Sequence, residues 1–307
     1  MRIIHGTSMS LAEGAAATIG KFEGLHRGHQ ALIGEAQARA LELGLPSMII
    51  TFDPHPAEAL KGAPYKALFS KAEREALFGQ TGIDILASIP FSREFASLPP
   101  EAFEKLLFVD LNCRALVVGR NFSYGKGRSG TAETLLEAGK AFDATVSIFG
   151  SVFEGEKRIS SSLIREAIAA NDFKIAEKLM GRPYFISGTI AHGKELGRTI
   201  GFPTMNILPA PDKLLPENGV YATKTLYQGE VYCSMTNVGR NPTVGGSGTT
   251  VETYLLGFDK CVYGENAQVS FVERLRDETK FQSVDSLRLQ LEKDSLAMRR
   301  IFSLENE

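Results

Sequence analysis

The chain has 307 residues, 43% hydrophobic and 23% charged, with 34 Lys and Arg against 36 Asp and Glu for a formal net charge of −2. That length favours about two domains of roughly 100–200 residues each, and the balance lacks the basic excess with which duplex nucleic-acid binders displace counterions, so no nucleic-acid partner is expected. Cys113, Cys233 and Cys261 are odd in number and form no C-x-x-C pair, against a disulfide framework or a zinc site; no signal-peptide core and no run near the ~20 apolar residues of a membrane helix is present, which points to a cytoplasmic protein without a membrane partner.

In chain order, Ala16–Gly20 reads as a strand, and Leu32, Ile33, Ala36, Ala40 and Leu43 repeat at helix period over 29–43. Further short apolar runs at 47–52, 83–89, 115–118 and 145–149 read as strands, with helical stretches at 71–78, 100–108 and 131–142 between them. Such alternation implies a Rossmann-like parallel α/β sheet. Two short helices are expected over 160–180. The character changes at Gly181-Arg182-Pro183: period-two runs at 184–190, 219–226, 231–237, 251–258 and 267–272 suggest a small antiparallel β-barrel or sandwich. A closing helix is expected over 283–302. The expected domains are therefore 1–182 and 183–307.

The segment Gly20-Lys21-Phe22-Glu23-Gly24-Leu25-His26-Arg27-Gly28-His29 lies between the first strand and first helix. In open α/β sheets ligands bind beyond the carboxyl ends of such strands. Gly24 and Gly28 permit a tight turn, and the helix N-terminus offers N–H groups to an anion. His26 and His29 can donate to phosphate oxygens. Asp53 and His55 follow the second strand, so three of the five histidines reach one sheet edge. This suits attack on the α-phosphorus of a nucleoside triphosphate, where positioning and charge stabilisation matter more than a strong base. A plain turn with two surface histidines is the alternative. Farther on, Ser160 to Ser162 are N-cap types, and Ser161 and Arg165 share a helix face, a grip for phosphate. Gly125 to Gly130 matches G-x-G-x-x-G but is separated from the preceding apolar strand, and is read as a basic loop.

In the second half, Gly193, Gly197 and Gly201 recur every four residues and lead to Pro203-Thr204-Met205-Asn206. A glycine flap, with Lys194 in it, suits phosphates. Thr204 and Asn206 share a strand face and could hold an ATP-bound Mg²⁺, which takes few protein ligands. Glu252 is the one acid in the apolar run 251–258 and is a candidate general base. A glycine-rich hairpin beside a surface glutamate is the plainer alternative.

The first segment resembles the G-x-F-D-G-x-H-x-G-H motif of the bacterial bifunctional riboflavin kinase/FAD synthetase family. Val117–Gly125 and the Arg158–Arg165 block, similar to I-S-S-T-x-I-R, agree in order. The later blocks resemble G-x-x-x-G-x-x-x-G-F-P-T-A-N, V-E-T-H and L-R-x-E-x-K-F of the kinase half. The resemblance implies an FMN adenylyltransferase domain followed by a riboflavin kinase domain, with riboflavin, FMN, FAD and ATP as ligands and Mg²⁺ as the metal. It implies ATP binding by Gly20, Phe22, Gly24, His26, His29, Ser161 and Arg165, and a nucleotide or flavin pocket with Asp53, His55 and Asn121. In the kinase half it implies an ATP flap of Gly193, Lys194, Gly197, Gly201 and Pro203, metal ligands Thr204 and Asn206, the base Glu252, and flavin binding by Arg276. Lys21, Glu23, Met205 and Tyr254 depart from the family pattern. Activity in one domain only, or a non-enzymatic flavin- or nucleotide-binding protein, are the alternatives.

Overall fold

A computed structural model of the chain describes residues 1–7, 11–61, 65–192, 196–240, 249–260 and 262–304. Packing divides the chain into two compact units, Met1–Lys66 with Lys71–Ser161, and Ala67–Ser70 with Ser162–Glu307.

The first unit is built on strands β1 (Arg2–His5), β2 (Ala15–Ile19), β3 (Ser47–Asp53), β4 (Ile85–Pro90), β5 (Cys113–Gly119), the short ribbon β6 (Ser123–Tyr124) and β7 (Gly130–Thr131), β8 (Thr145–Phe149), and a second ribbon β9 (Phe153–Glu154) and β10 (Lys157–Arg158). Its main sheet runs β1-β4-β3-β2-β5-β8, all parallel. The central strands read as unbroken apolar runs because both faces are covered: every residue of β2 is buried. The edge strand β1 is almost wholly exposed and carries no such pattern, which is why the sequence reading passes over it. Helices α1 (Arg27–Leu43), α2 (Pro56–Lys61), α3 (Lys71–Gly79), α4 (Arg93–Ala96), α5 (Pro100–Lys105, running into a π turn over Leu106–Asp110) and α6 (Ala132–Ala141) fill the connections. The chain leaves β2 through α1 to β3 on one side, and later sets β5 on the other side of β2. That reversal is a switch point where loops splay apart beyond the strand ends. Gly125–Gly130 falls on the antiparallel β6–β7 ribbon, not at a strand-to-helix turn, in line with the loop reading. Cys113 is buried in the sheet, its thiol pushed up to about 12 by desolvation, so it acts as a packing residue. Cys261 lies outside the described residues.

The second unit begins with helix α7 (Ser161–Ala169), most of which packs there, and α8 (Phe173–Met180), ended by Gly181 in the left-handed region at φ 71°. Strands β11 (Phe185–Ala191), β12 (Thr204–Pro209), β13 (Gly219–Tyr227), β14 (Glu230–Arg240), β15 (Thr249–Leu255) and β16 (Asn266–Arg276) then form a closed antiparallel barrel in the order β11-β12-β15-β14-β13-β16. Closure removes the sheet edges, and of the barrel and sandwich allowed by the sequence it is the barrel that forms. A single turn α9 (Leu196–Thr199) precedes β12, and α10 (Val284–Ile301) closes the chain.

Strand alternation sorts the barrel's two faces. Inward, Thr223, Thr225, Ser234, Thr236 and Thr253 are fully buried, and their hydroxyls bond to one another at 2.8–3.0 Å. The bonds form a chain in which Ser234, Thr223 and Thr236 each meet two hydroxyls and the ends, Thr225 and Thr253, meet one, so every member of the polar interior has a partner. Tyr221 is also fully buried, packed on Phe173 and Phe271, with its hydroxyl donating to Asn171 Oδ1 at 3.0 Å, which makes it a core residue. Leu68 and Phe69, from the short insertion Ala67–Ser70, are buried in this unit. The buried Lys213 Nζ donates to the Leu68 carbonyl at 2.6 Å and lies 4.4 Å above the Phe69 ring centroid, so its charge meets a carbonyl and a π face.

Gly188 in β11 marks a close crossing of backbones. A Cβ there would lie 2.6 Å from the Leu208 carbonyl carbon and nearer still to its oxygen. In Gly34, on the exposed face of α1, a Cβ meets nothing within 4 Å. Gly188→Ala is therefore expected to destabilise the second unit by about 2 kcal/mol or more, whereas Gly34→Ala is expected to stabilise by about 0.5–1 kcal/mol. Thermal or urea unfolding of the two variants checks both signs.

Candidate active sites

The loop after β2 is tightly formed. Phe22 and Leu25 take positive φ of 46° and 40°, and both are fully buried. Such backbone is costly for non-glycine residues and is held by surroundings. Here the Thr51 hydroxyl donates to the Lys21 carbonyl at 3.3 Å, and Gly20 N–H donates to Ile50 O at 3.1 Å, tying the loop to β3. Glu23 is buried at 5% exposure, so the carboxylate at this departure from the family pattern points inward.

His26 is the N-cap of α1: its Nδ1 accepts from the His29 backbone N–H at 3.2 Å. The accepting lone pair places the proton of the neutral ring on Nε2, leaving that nitrogen as the donor. The His26 and His29 rings stack at 3.6 Å between centroids, and Phe22 meets His29 edge-on at 5.1 Å. Gly28 is what lets the His26 ring fold back, because a Cβ there would sit 3.2 Å from Cε1 and Nδ1. Two imidazoles are thus stacked at the positive end of a 17-residue helix, a natural seat for an anion.

The sheet brings the other expected residues of this unit to the same edge. Asp53 ends β3 and His55 follows it; Asn121, exposed, follows β5. Asp53 pairs with Lys71 Nζ at 2.5 Å. His55 is buried, stacked on Tyr65 at 4.5 Å, and its Nδ1 accepts from Ala57 N–H at 3.2 Å. The β9–β10 ribbon and the residues beside it return to the start of α1. Arg27 pairs with Glu154 at 2.6 Å, the Val152 side chain lies 3.8 Å from where a Gly28 Cβ would be, and Ile159 N–H donates to Val152 O. Arg165 falls in the second packing unit.

In the second unit one cavity on the outer face of the barrel collects Thr204, Asn237, Glu252, Tyr254 and Arg276 with apolar walls from Phe202 and α10. Its centre is set by register. Glu252 in β15 is opposite Asn206 of β12 on one side and Asn237 of β14 on the other. Thr204 and Asn206 share a face as expected, and Met205 points inward at 5% exposure, where it serves packing. Gly197 and Gly201 shape the approach: Gly197 O accepts from Phe202 N–H at 2.8 Å, a Gly197 Cβ would collide with the Phe202 carbonyl oxygen, and Gly201 has φ 83°. Pro203 immediately precedes β12. Gly193 and Lys194 lie outside the described residues. Among the described residues no group of three or more His, Cys, Asp or Glu side chains is gathered to hold a metal. Hydroxyl and amide oxygens beside one carboxylate do fit a hard cation whose remaining ligands are phosphate and water.

Some lining residues escape sequence reading, while Glu278 stands in the L-R-x-E-x-K-F block already singled out. Asn237 occupies a strand otherwise read only for alternation. Glu278 fits where Gly239 lacks a side chain, and Asn218 Nδ2 donates to it at 3.4 Å. Leu287 and Leu291 line the cavity from α10; their i, i+4 spacing was the available signal.

The family model described as FAD synthetase matches residues 8–163, and that described as riboflavin kinase matches residues 180–302. The bifunctional riboflavin kinase/FMN adenylyltransferase of Escherichia coli (strain K12) is 38% identical over 308 residues, covering 99% of this chain and 98% of its own length. The protein of the same name from Bacillus subtilis (strain 168) is 38% identical over 292 residues, covering 93% and 92%. A crystal structure titled as a macrolide-efflux protein from Streptococcus pneumoniae superposes with a TM-score of 0.85 at 32% identity, covering 97% of this chain and 99% of that one. No helix among the described residues is long and apolar enough to cross a membrane.

The cap predicts a stability effect separate from any chemistry. His26→Ala is expected to cost about 1 kcal/mol, and His26→Asn, which keeps an accepting side chain, to recover most of it. Urea unfolding and amide hydrogen exchange in the first turn of α1 measure this.

Proposed function

The chain belongs to the bifunctional riboflavin kinase/FMN adenylyltransferase family, and from that membership we infer how its residues divide the work. The enzyme phosphorylates riboflavin to FMN with ATP, and adenylylates FMN to FAD with release of pyrophosphate. Adenylylation belongs to the α/β unit and phosphorylation to the barrel. We set the functional boundary between residues 182 and 183, next to the Gly181 cap and close to the start of the kinase match.

In adenylylation, a terminal phosphate oxygen of FMN attacks the α-phosphorus of ATP and the bond to pyrophosphate breaks. His26 and His29, at the N-terminus of α1, donate to the phosphates and offset charge as it shifts to the leaving group. Gly20, Phe22 and Gly24 shape the loop around the nucleotide; Ser161 and Arg165 grip its phosphates. Asp53, His55 and Asn121 border the flavin or nucleotide pocket.

In phosphorylation, Glu252 takes the proton from the terminal hydroxyl of riboflavin as its oxygen attacks the γ-phosphorus and ADP leaves. The observation that supports this most is the register that puts Glu252 between Asn206 and Asn237, in the same cavity as Thr204. Thr204 and Asn206 would hold the Mg²⁺ that accompanies ATP, and the ion would supply neutralisation of phosphate charge when bound. The flap, Gly193 to Pro203 with Lys194, covers the ATP phosphates, and Arg276 serves the flavin end of the cavity. A cytoplasmic location, where ATP is supplied, accords with this reading.

Separation of the two activities tests the assignment. His29→Ala is expected to lower FAD formation from FMN by about 10²-fold or more and leave riboflavin phosphorylation near wild type. Glu252→Gln is expected to lower FMN formation from riboflavin by about 10²–10⁴-fold and spare FAD formation from FMN. Chromatographic separation of flavins after incubation with ATP and Mg²⁺ reads both; FAD formation intact in the His29 variant refutes the first assignment.

A further inference from the structure

Helix α10 turns one stripe toward the barrel: Leu287, Leu291, Asp294 and Met298, spaced four, three and four apart. Asp294 is an acid in an otherwise apolar stripe and is 4% exposed. A carboxylate so deeply placed persists only with partners. It accepts from Arg276 Nε at 3.0 Å on both oxygens, from the second terminal nitrogen of Arg276 at 2.8 Å, and from Gln290 Nε2 at 2.8 Å.

Arg276 is the last residue of β16 and lines the cavity that holds Glu252. A guanidinium offers its donors in a fixed planar fork. Here the Nε edge of the fork is directed to Asp294, the other terminal nitrogen donates to the Asp277 carbonyl at 2.9 Å, and Cζ lies 5.6 Å from the Phe281 ring centroid. The Nε edge, one of the two that could grip a phosphate bidentately, is thus used within the protein. What the fork joins is the barrel strand to the helix whose Leu287 and Leu291 form the apolar wall of the cavity.

We propose that Asp294 is a positioning residue of the kinase site: through Arg276 it clamps α10 to the barrel and sets the wall of Leu287, Leu291 and Phe281 against which the flat, apolar flavin ring binds. The proposal rests on the kinase reading above, and it has Arg276 serve the flavin by holding that wall. The clamp joins β16 to α10, whereas Glu252 and Thr204 stand on β15 and β12, so its loss weakens binding of riboflavin more than the chemical step.

The test uses the full-length enzyme. Asp294→Asn is expected to raise KM for riboflavin, and Kd read from quenching of flavin fluorescence, by about tenfold, with kcat changed by less than about threefold. FAD formation from FMN is expected to stay at the wild-type rate. Arg276→Lys keeps the charge without the fork and is expected to shift KM in the same direction. It also decides the matter if Asp294→Asn fails to fold. The double variant is expected to be no worse than the weaker single one, because both break one interaction. KM unchanged in the folded variants, a fall in kcat with KM constant, or strictly additive losses would each overturn the clamp. A wild-type chain that forms no FMN from riboflavin would instead overturn the kinase reading, and the clamp with it.

Discussion

The barrel half depends on one register, in which Asn206, Glu252 and Asn237 sit opposite one another across β12, β15 and β14. Side chains alternate along a strand, so a slip of one residue in β15 would turn Glu252 into the barrel and Thr253 outward. Both errors are expensive. The interior would receive a carboxylate among hydroxyls already satisfied by one another, and the hydroxyl chain from Thr225 through Thr253 would lose its end. The buried polar interior and the external site are therefore two consequences of the same pairing. Closure of the sheet leaves no free edge at which the register could drift.

The α/β half reaches a site by a different route. Its strands are parallel and buried, so polar chemistry is confined to the ends. Beyond β2 the chain forms a loop in which apolar Phe22 and Leu25 are buried at positive φ, and polar His26 caps the helix. Burial of the apolar residues offsets the backbone cost. The cap then fixes one imidazole, and stacking fixes the other. Hydrogen bonding of His26 to backbone means that a residue proposed for phosphate binding also stabilises the helix that presents it.

Helix α10 shows how a wall can be shaped by a polar contact. Its apolar residues alone would allow sliding along the barrel surface, since hydrophobic contact is non-directional. The planar fork of Arg276 is directional and meets a buried carboxylate, which selects one docking position. Gly239 and Glu278 add a similar fit, where absence of a side chain makes space for a carboxylate.

The sequence was sufficient for what is local. Apolar runs marked the inner parallel strands, helical periodicity marked α1, and alternation placed Thr204 and Asn206 on one face and Met205 on the other. The His and Glu motifs, with their family resemblance, pointed to both chemistries. Only the tertiary structure decided which residues stand across from Glu252, since β12 and β14 are brought to it by closure and Asn237 looks like any other strand residue in the chain. Only folding could show that Leu68 and Phe69 belong to the barrel unit, or that Asp294 and Arg276 form a pair. Propensity, caps and alternation act over a few neighbouring residues and are written in sequence order, whereas register, closure and buried charge pairing depend on segments far apart in the chain meeting in space.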